Sequence, residues 1–100
     1  MKFDVFNNYV SQVAELFDVD EDAIFTKSKR RDIVDARQML YYLCSKRPMR
    51  VVYIQEYMAE RGYVINHSSI LHGISQVQER VRKDRDYVKA VKQIQQCATT

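Results

Sequence analysis

Residues 65–77, INHSSILHGISQV, contain the pattern on which the predicted fold depends. Asn66 is a favourable N-cap residue, because its side-chain oxygen can accept a hydrogen bond from an unpaired N–H of the first helical turn. Ile65 and Ile70 flank this cap at the spacing of a hydrophobic staple. Apolar residues then recur every three or four positions, which predicts a helix that buries one stripe and extends to about Arg82. The stripe consists of Ile70, Ile74, Val77 and Val81.

A second helix and a turn precede this segment. Apolar residues at helical spacing predict a helix over residues 50–60, and Gly62 supplies the left-handed conformation that ends a helix. Helix, turn with glycine and second helix form the helix-turn-helix arrangement, although a turn over residues 61–65 is slightly long. Such a motif places the first side chains of its second helix against DNA base edges.

Four short polar side chains begin the predicted second helix: Asn66, His67, Ser68 and Ser69. Their side chains can donate or accept hydrogen bonds, which the reading of base edges requires. Asn66 could instead act only as a cap. His72 lies farther along the helix and is more typical of a packing or hydrogen-bonded histidine than of a functional one.

The rest of the chain is also predicted to be helical. Its 100 residues include only two Gly and one Pro, so few turns are available, and the apolar spacing is helical nearly everywhere. Further helices are predicted over residues 3–17 and 31–45, with one turn over residues 20–25 and a short last helix around residues 87–94. Residues 39–44 are apolar on all sides, which indicates a central packing helix.

The sequence therefore predicts one compact all-α domain over residues 1–100 that contains a helix-turn-helix. A charged kink or short loop is expected over residues 83–86. The tail, from about residue 96 to residue 100, is expected to fray.

Charge is distributed unevenly along the chain. Residues 1–26 contain one Lys and six Asp or Glu, a net charge of −5. Residues 27–50 contain eight Lys or Arg and two Asp, a net charge of +6, although the whole chain carries only +3. The middle segment therefore creates a local positive potential of the kind that attracts the phosphates of nucleic acids. A solvated helix face is the alternative interpretation of such a cluster.

Other classes of function find little support in the sequence. Cys44 and Cys97 are too few and too far apart for a disulfide framework and suit a reducing cytoplasm. His67 and His72, five residues apart, turn to different helix faces, so a metal site is not expected. The sequence shows no recognisable pair of catalytic carboxylates and no nucleophile with a matching base, so an enzyme is not expected. Without a signal peptide or an apolar run that could span a bilayer, the predicted location is cytoplasmic and no membrane partner is expected.

Two stretches resemble the C-terminal DNA-binding domain of DnaA, the bacterial replication initiator. Residues 27–43, KSKRRDIVDARQMLYYL, resemble the start of that domain. Residues 66–72, NHSSILH, resemble its signature, which is usually DHTTVLH. The order and spacing also agree, and the resemblance covers about residues 3–95. It implies a helical domain that reads double-stranded DNA through its helix-turn-helix.

The resemblance places the family's base-reading residues on Asn66, His67 and Ser68, which would enter the major groove. Asn66 stands where the family usually has Asp, and this exchanges an acceptor-only group for one that can pair bidentately with adenine. Ser68 and Ser69 stand where the family has threonines, whose methyl groups can touch thymine. The family's usual DNA site is therefore not assumed for this chain.

The resemblance also implies contacts to the DNA backbone. The family's basic loop falls on Lys29, Arg30 and Arg31, which would reach the minor groove and adjacent backbone, and its phosphate contacts fall on Arg37, Gln38 and Ser69. Ser69 would act at a helix N-terminus, where the dipole and free N–H groups favour phosphate. Arg37, expected near the exposed N-terminal half of its helix, could instead pair with Asp32 or Asp35.

One departure from the family concerns nucleotide binding. DnaA is an ATPase with a separate nucleotide-binding domain, whereas this chain has no Gly-x-x-x-x-Gly-Lys-Ser/Thr loop, so neither a nucleotide nor another cofactor is expected. The chain is expected to be either a stand-alone relative, for example from a phage or mobile element, or an excised domain, and its start at Met1 favours the first.

Two functions follow from the sequence. The first is sequence-specific binding of double-stranded DNA, in replication initiation or in transcription regulation. The alternative is a protein-interaction module, with weak or no DNA binding. It would bind a host replication or transcription protein through its Tyr-rich and acidic N-terminal surface.

Overall fold

Six α-helices account for most of the computed structural model, which describes residues 2–98 and the side chains of residues 2–95. In chain order they are α1 (Lys2–Phe17), α2 (Glu21–Ile24), α3 (Arg31–Lys46), α4 (Val51–Glu60), α5 (His67–Lys83) and α6 (Arg85–Ala98). The described residues contain no strand, so the predicted all-α class is confirmed. No helix among them is long and apolar enough to cross a membrane.

The third helix, α3, is the centre of the domain. It packs against α1 and, most extensively, against α5. Every side chain over residues 39–44 is buried, which confirms the prediction of a central packing helix. Within this core, burial raises the pKa of the Cys44 thiol well above its usual range. The thiol therefore stays protonated and acts as a small apolar side chain.

A tight turn joins α1 to the short helix α2. Asp18 has a left-handed φ of 54°. Its N–H donates to the Glu15 carbonyl at 3.2 Å, and that of Val19 donates to the Ala14 carbonyl at 3.0 Å. These two bonds form a Schellman motif that ends α1. Asp20 then caps α2, because its Oδ1 accepts a hydrogen bond from the Asp22 N–H at 3.3 Å.

The predicted helix-turn-helix is confirmed in α4, the turn and α5. Gly62 has a φ of +90°. Its N–H donates to the Ala59 carbonyl and that of Tyr63 donates to the Met58 carbonyl, both at 2.9 Å, so α4 also ends in a Schellman motif. The Gln55 side-chain amide donates to the Ile65 carbonyl at 2.8 Å. This bond ties the end of the turn back to α4.

Gly62→Ala is expected to lower the free energy of unfolding by about 1–2 kcal/mol, the cost of a Cβ in the left-handed region. The cost comes from the backbone alone, because a Cβ built at Gly62 would meet no heavy atom within 4 Å. Urea unfolding measures the change. Gly62→Asn is the matched control and should lose less, since Asn tolerates this conformation better. Equal losses for Ala and Asn would contradict the explanation.

The C-terminal part of the fold departs from the prediction in the length of its last helix. Only Asp84 separates α5 from α6, so the kink or short loop predicted over residues 83–86 is a kink at a single residue. Asp84 makes this sharp junction, because its N–H still bonds to the Arg80 carbonyl while its Oδ1 accepts from the Asp86 N–H, at 2.8 and 2.9 Å. The last helix begins directly after this junction, spans 14 residues and reaches Ala98, where a short helix and a frayed tail were predicted. The last two residues of that tail, 99–100, lie outside the described residues.

Candidate nucleic-acid interface

The N-terminal halves of α3 and α5 lie side by side and border an open cleft of about 400 Å³. The turn before α5 closes one side of it. Gly73 permits the close approach, since a Cβ there would lie 2.9 Å from Cδ2 of Tyr41 and 3.2 Å from Cγ of Gln38. The cleft is lined by Val34, Arg37, Gln38, Tyr41, Tyr63, Val64, Ile65, Asn66, Ser69 and His72.

The N-terminus of α5 has the capped geometry that the sequence predicts. Asn66 is extended, with φ −92° and ψ 166°, and its Oδ1 accepts a hydrogen bond from the Ser69 N–H at 2.8 Å. A carbonyl oxygen has two lone pairs, so this cap leaves one lone pair and the whole NH₂ group of Asn66 for a ligand. All four side chains over residues 66–69, which we call the reading end, are exposed.

The basic loop, residues 29–31, presents three exposed cations. Lys29 makes no ion pair with the described residues. Arg30 contacts Asp32 at 2.8 Å and Arg31 contacts Asp35 at 3.5 Å. Both guanidinium groups are largely exposed, with side chains 72% and 85% accessible, so a phosphate can reach both and compete with these carboxylates.

The basic loop lies one helical turn, along the chain, from the cleft that the reading end borders. The loop leads directly into α3, which begins at Arg31. One turn later, Val34 lines the cleft together with Asn66 and Ser69. A ligand that contacts the reading end is therefore within reach of the cationic loop.

Arg37 was predicted to lie near the exposed N-terminal half of its helix, and this prediction is wrong because the residue is buried. Only 6% of this residue is exposed. Its Nε donates to the Ile24 carbonyl at 2.9 Å, and its Nη2 donates to the Thr26 carbonyl. It pairs with neither Asp32 nor Asp35, the alternative that the sequence left open. The physical reason is that the carbonyls of Ile24, the last residue of α2, and of Thr26 just after it need donors, and the guanidinium supplies them.

The contacts of Arg37 join the two segments beside the cleft. Its bond to Thr26 fixes the chain just before the basic loop. The guanidinium also lies 4.6 Å from the centroid of the Tyr63 ring, in the turn before the reading end. Arg37 is therefore a positioning residue that fixes both the chain just before the basic loop and the turn before α5 relative to α3.

Gln38 lies in the cleft wall and is held by α5. The Arg80 Nη1 donates to its Oε1 at 2.9 Å, and Nη2 of the same guanidinium lies 3.5 Å from Oδ1 of Asp35. With the oxygen of Gln38 occupied by a cation, its NH₂ group is the end that can donate to an anion in the cleft. Asp35 faces both Arg31 and Arg80, so its negative charge is offset next to the site.

His72 was favoured as a packing or hydrogen-bonded residue, but it is exposed and lines the cleft. It follows Ser69 by three positions, which places both on one face of α5. That spacing was available in the sequence. What was missing was the position of α3, which makes this face one wall of the cleft.

Cations, amide and hydroxyl donors and a helix N-terminus thus converge on one open surface of a helical domain. This arrangement defines a helix-turn-helix domain of the DNA-binding class. The chain belongs to the bacterial dnaA protein helix-turn-helix family, whose model matches residues 8–77. The resemblance read from residues 27–43 and 66–72 is confirmed.

Two similar proteins are chromosomal replication initiators that are much longer than this chain. The chain is 28% identical over 83 residues to the chromosomal replication initiator protein DnaA of Lachnoclostridium phytofermentans. It is 29% identical over 86 residues to the protein of the same name from Bacteroides thetaiotaomicron. The alignments cover 82% and 83% of this chain but only 17% of each relative.

Proposed function

We propose that this domain binds double-stranded DNA sequence-specifically, with the N-terminus of α5 in the major groove and the basic loop on the adjacent backbone and minor groove. The observation that carries the proposal is that the exposed reading end borders an open cleft whose wall includes Val34, three to five residues after the exposed cations of the basic loop. Base reading and phosphate binding can then act on one duplex at once.

Affinity comes from the cations. Lys29, Arg30 and Arg31 neutralise phosphates and release the counterions condensed on them, which makes binding steeply salt-dependent. Gln38, Ser69 and the exposed His72 add hydrogen bonds to phosphate from the cleft. Arg37 acts on the DNA only indirectly, by holding the basic loop in place.

Selectivity comes from the first residues of α5. His67 and Ser68 follow the cap directly and are exposed, as base-reading residues of a recognition helix must be. Asn66 reads a base edge through its free NH₂ group and remaining lone pair while it caps the helix.

The biological role we propose is replication initiation, or transcription regulation by a domain of the same family. The first is supported by the names of both relatives, which are chromosomal replication initiators. Since the chain spans about 17% of their length, the activities of the whole initiators are not carried over to it.

Selection of bound duplexes from a random pool tests the proposal. We expect one preferred sequence, and an apparent Kd that rises with salt with a log–log slope of about 0.9 per phosphate neutralised. A module that binds only a replication or transcription protein, the alternative function, would enrich no duplex and bind none at moderate salt. That result would overturn the proposed function.

Asn66→Asp separates capping from base reading. Both side chains cap helices, so the free energy of unfolding should change by less than about 0.5 kcal/mol. The selected sequence should nevertheless change at one position, because Asp cannot donate to a base and its charge opposes nearby phosphates. Urea unfolding and repeated selection measure the two effects. If the preferred sequence did not change, Asn66 would act only as a helix cap and not as a base-reading residue.

A further inference from the structure

Two large apolar side chains beside the reading end are unusually exposed. Val64 is 82% exposed and Leu71 is 53% exposed, whereas the next most exposed large apolar side chains reach only 38–40%. Single exposed apolar residues are ordinary on protein surfaces. Here, however, the two most exposed ones flank the same four polar residues, 66–69.

Their positions direct both side chains to the proposed DNA surface. Leu71 follows His67 by four residues and Ser68 by three, so it shares their face of α5. Val64 lies in the turn two residues before the cap and lines the cleft with Asn66 and Ser69. The described part of the chain leaves most of Val64 and about half of Leu71 uncovered.

The major groove offers one apolar group to such residues. Among the base edges there, only thymine carries a methyl group, at C5. The serines at positions 68 and 69 have no methyl with which to meet it. Contact with this methyl removes apolar surface from water on both partners.

We infer that Val64 and Leu71 contact thymine methyl groups in the major groove and thereby select thymine at specific positions of the site. This inference rests on the proposed function and deepens it. It adds apolar readers to the polar ones and assigns a use to side chains that the fold leaves uncovered.

Replacement of thymine by deoxyuridine, which lacks only the C5 methyl, tests the inference. On the duplex selected by the wild-type domain, each thymine is replaced in turn and the Kd is measured at fixed salt. At one or two positions the wild type should bind roughly fourfold more weakly, the value of one lost methyl contact. At the others its affinity should not change.

Two alanine variants then show which side chain contacts each thymine methyl group. In Leu71→Ala or Val64→Ala, one of the sensitive positions should lose its dependence on the methyl, because the partner side chain is gone. Leu16→Ala is the matched control, since Leu16 is 40% exposed on α1, outside the proposed interface, and this variant should keep the wild-type pattern. Thermal unfolding verifies that the variants fold, and the wild-type measurement does not depend on them.

Failure of this inference can be distinguished from failure of the proposed function. If the wild type selects a duplex but no thymine in it is sensitive to deoxyuridine, or if both variants keep the wild-type pattern, the methyl contacts are overturned and the proposed function stands. If the wild type selects no duplex, the proposed function fails and the inference fails with it.

Discussion

Arg37→Met is expected to lower the free energy of unfolding by at least about 3 kcal/mol, because hydrogen bonds to charged groups are worth about 1.5–3 kcal/mol each and two are lost. Met retains a long apolar side chain but leaves the carbonyls of Ile24 and Thr26 without their donors. The contact with the Tyr63 ring is lost as well. Urea unfolding of the wild type and the variant measures the change.

A matched variant is Arg30→Met. Arg30 is also paired, but its side chain is 72% exposed, so this change should alter the free energy of unfolding by less than about 0.5 kcal/mol. The phosphate role that the family resemblance implied for Arg37 predicts another result. Arg37→Met would then keep wild-type stability and lose only DNA affinity, and that outcome would contradict the positioning role.

His67→Ala is expected to weaken binding to the preferred duplex by about 1–3 kcal/mol, the usual value of a specific base contact. His67 is the first residue of α5 and is exposed, so its truncation should leave the fold and the binding of random duplexes nearly unchanged. Competition between the preferred and a random duplex measures the loss of discrimination.

Lys29→Ala is the contrasting variant. It should weaken binding to all sequences alike and reduce the salt slope by about one, because it removes a phosphate contact rather than a base contact. If His67→Ala instead weakened both duplexes equally, His67 would be a backbone contact and the base-reading assignment would fail.

The local features of the helix-turn-helix could be read from the sequence. The cap at Asn66 and the left-handed turn at Gly62 depend on the conformational preferences of single residues, and both were predicted correctly. The central position of α3 could also be read from the sequence, since residues 39–44 are apolar on all sides of the helix.

Features that depend on contacts between distant segments could not be read in this way. Helical spacing gives the position of Arg37 on α3, but not the unpaired carbonyls of α2 that draw its guanidinium inward. Likewise, the cleft beside His72 exists only because Gly73 lets α5 approach α3 closely.

The central claim is that the basic loop and the reading end form one DNA-binding surface. Addition of the selected duplex to the ¹⁵N-labelled domain, followed by amide chemical shifts, tests it most directly. The largest changes should fall on residues 28–31 and 64–72, and small ones on α1 and α2. Changes concentrated on the acidic α1 and α2, or confined to only one of the two predicted segments, would contradict it.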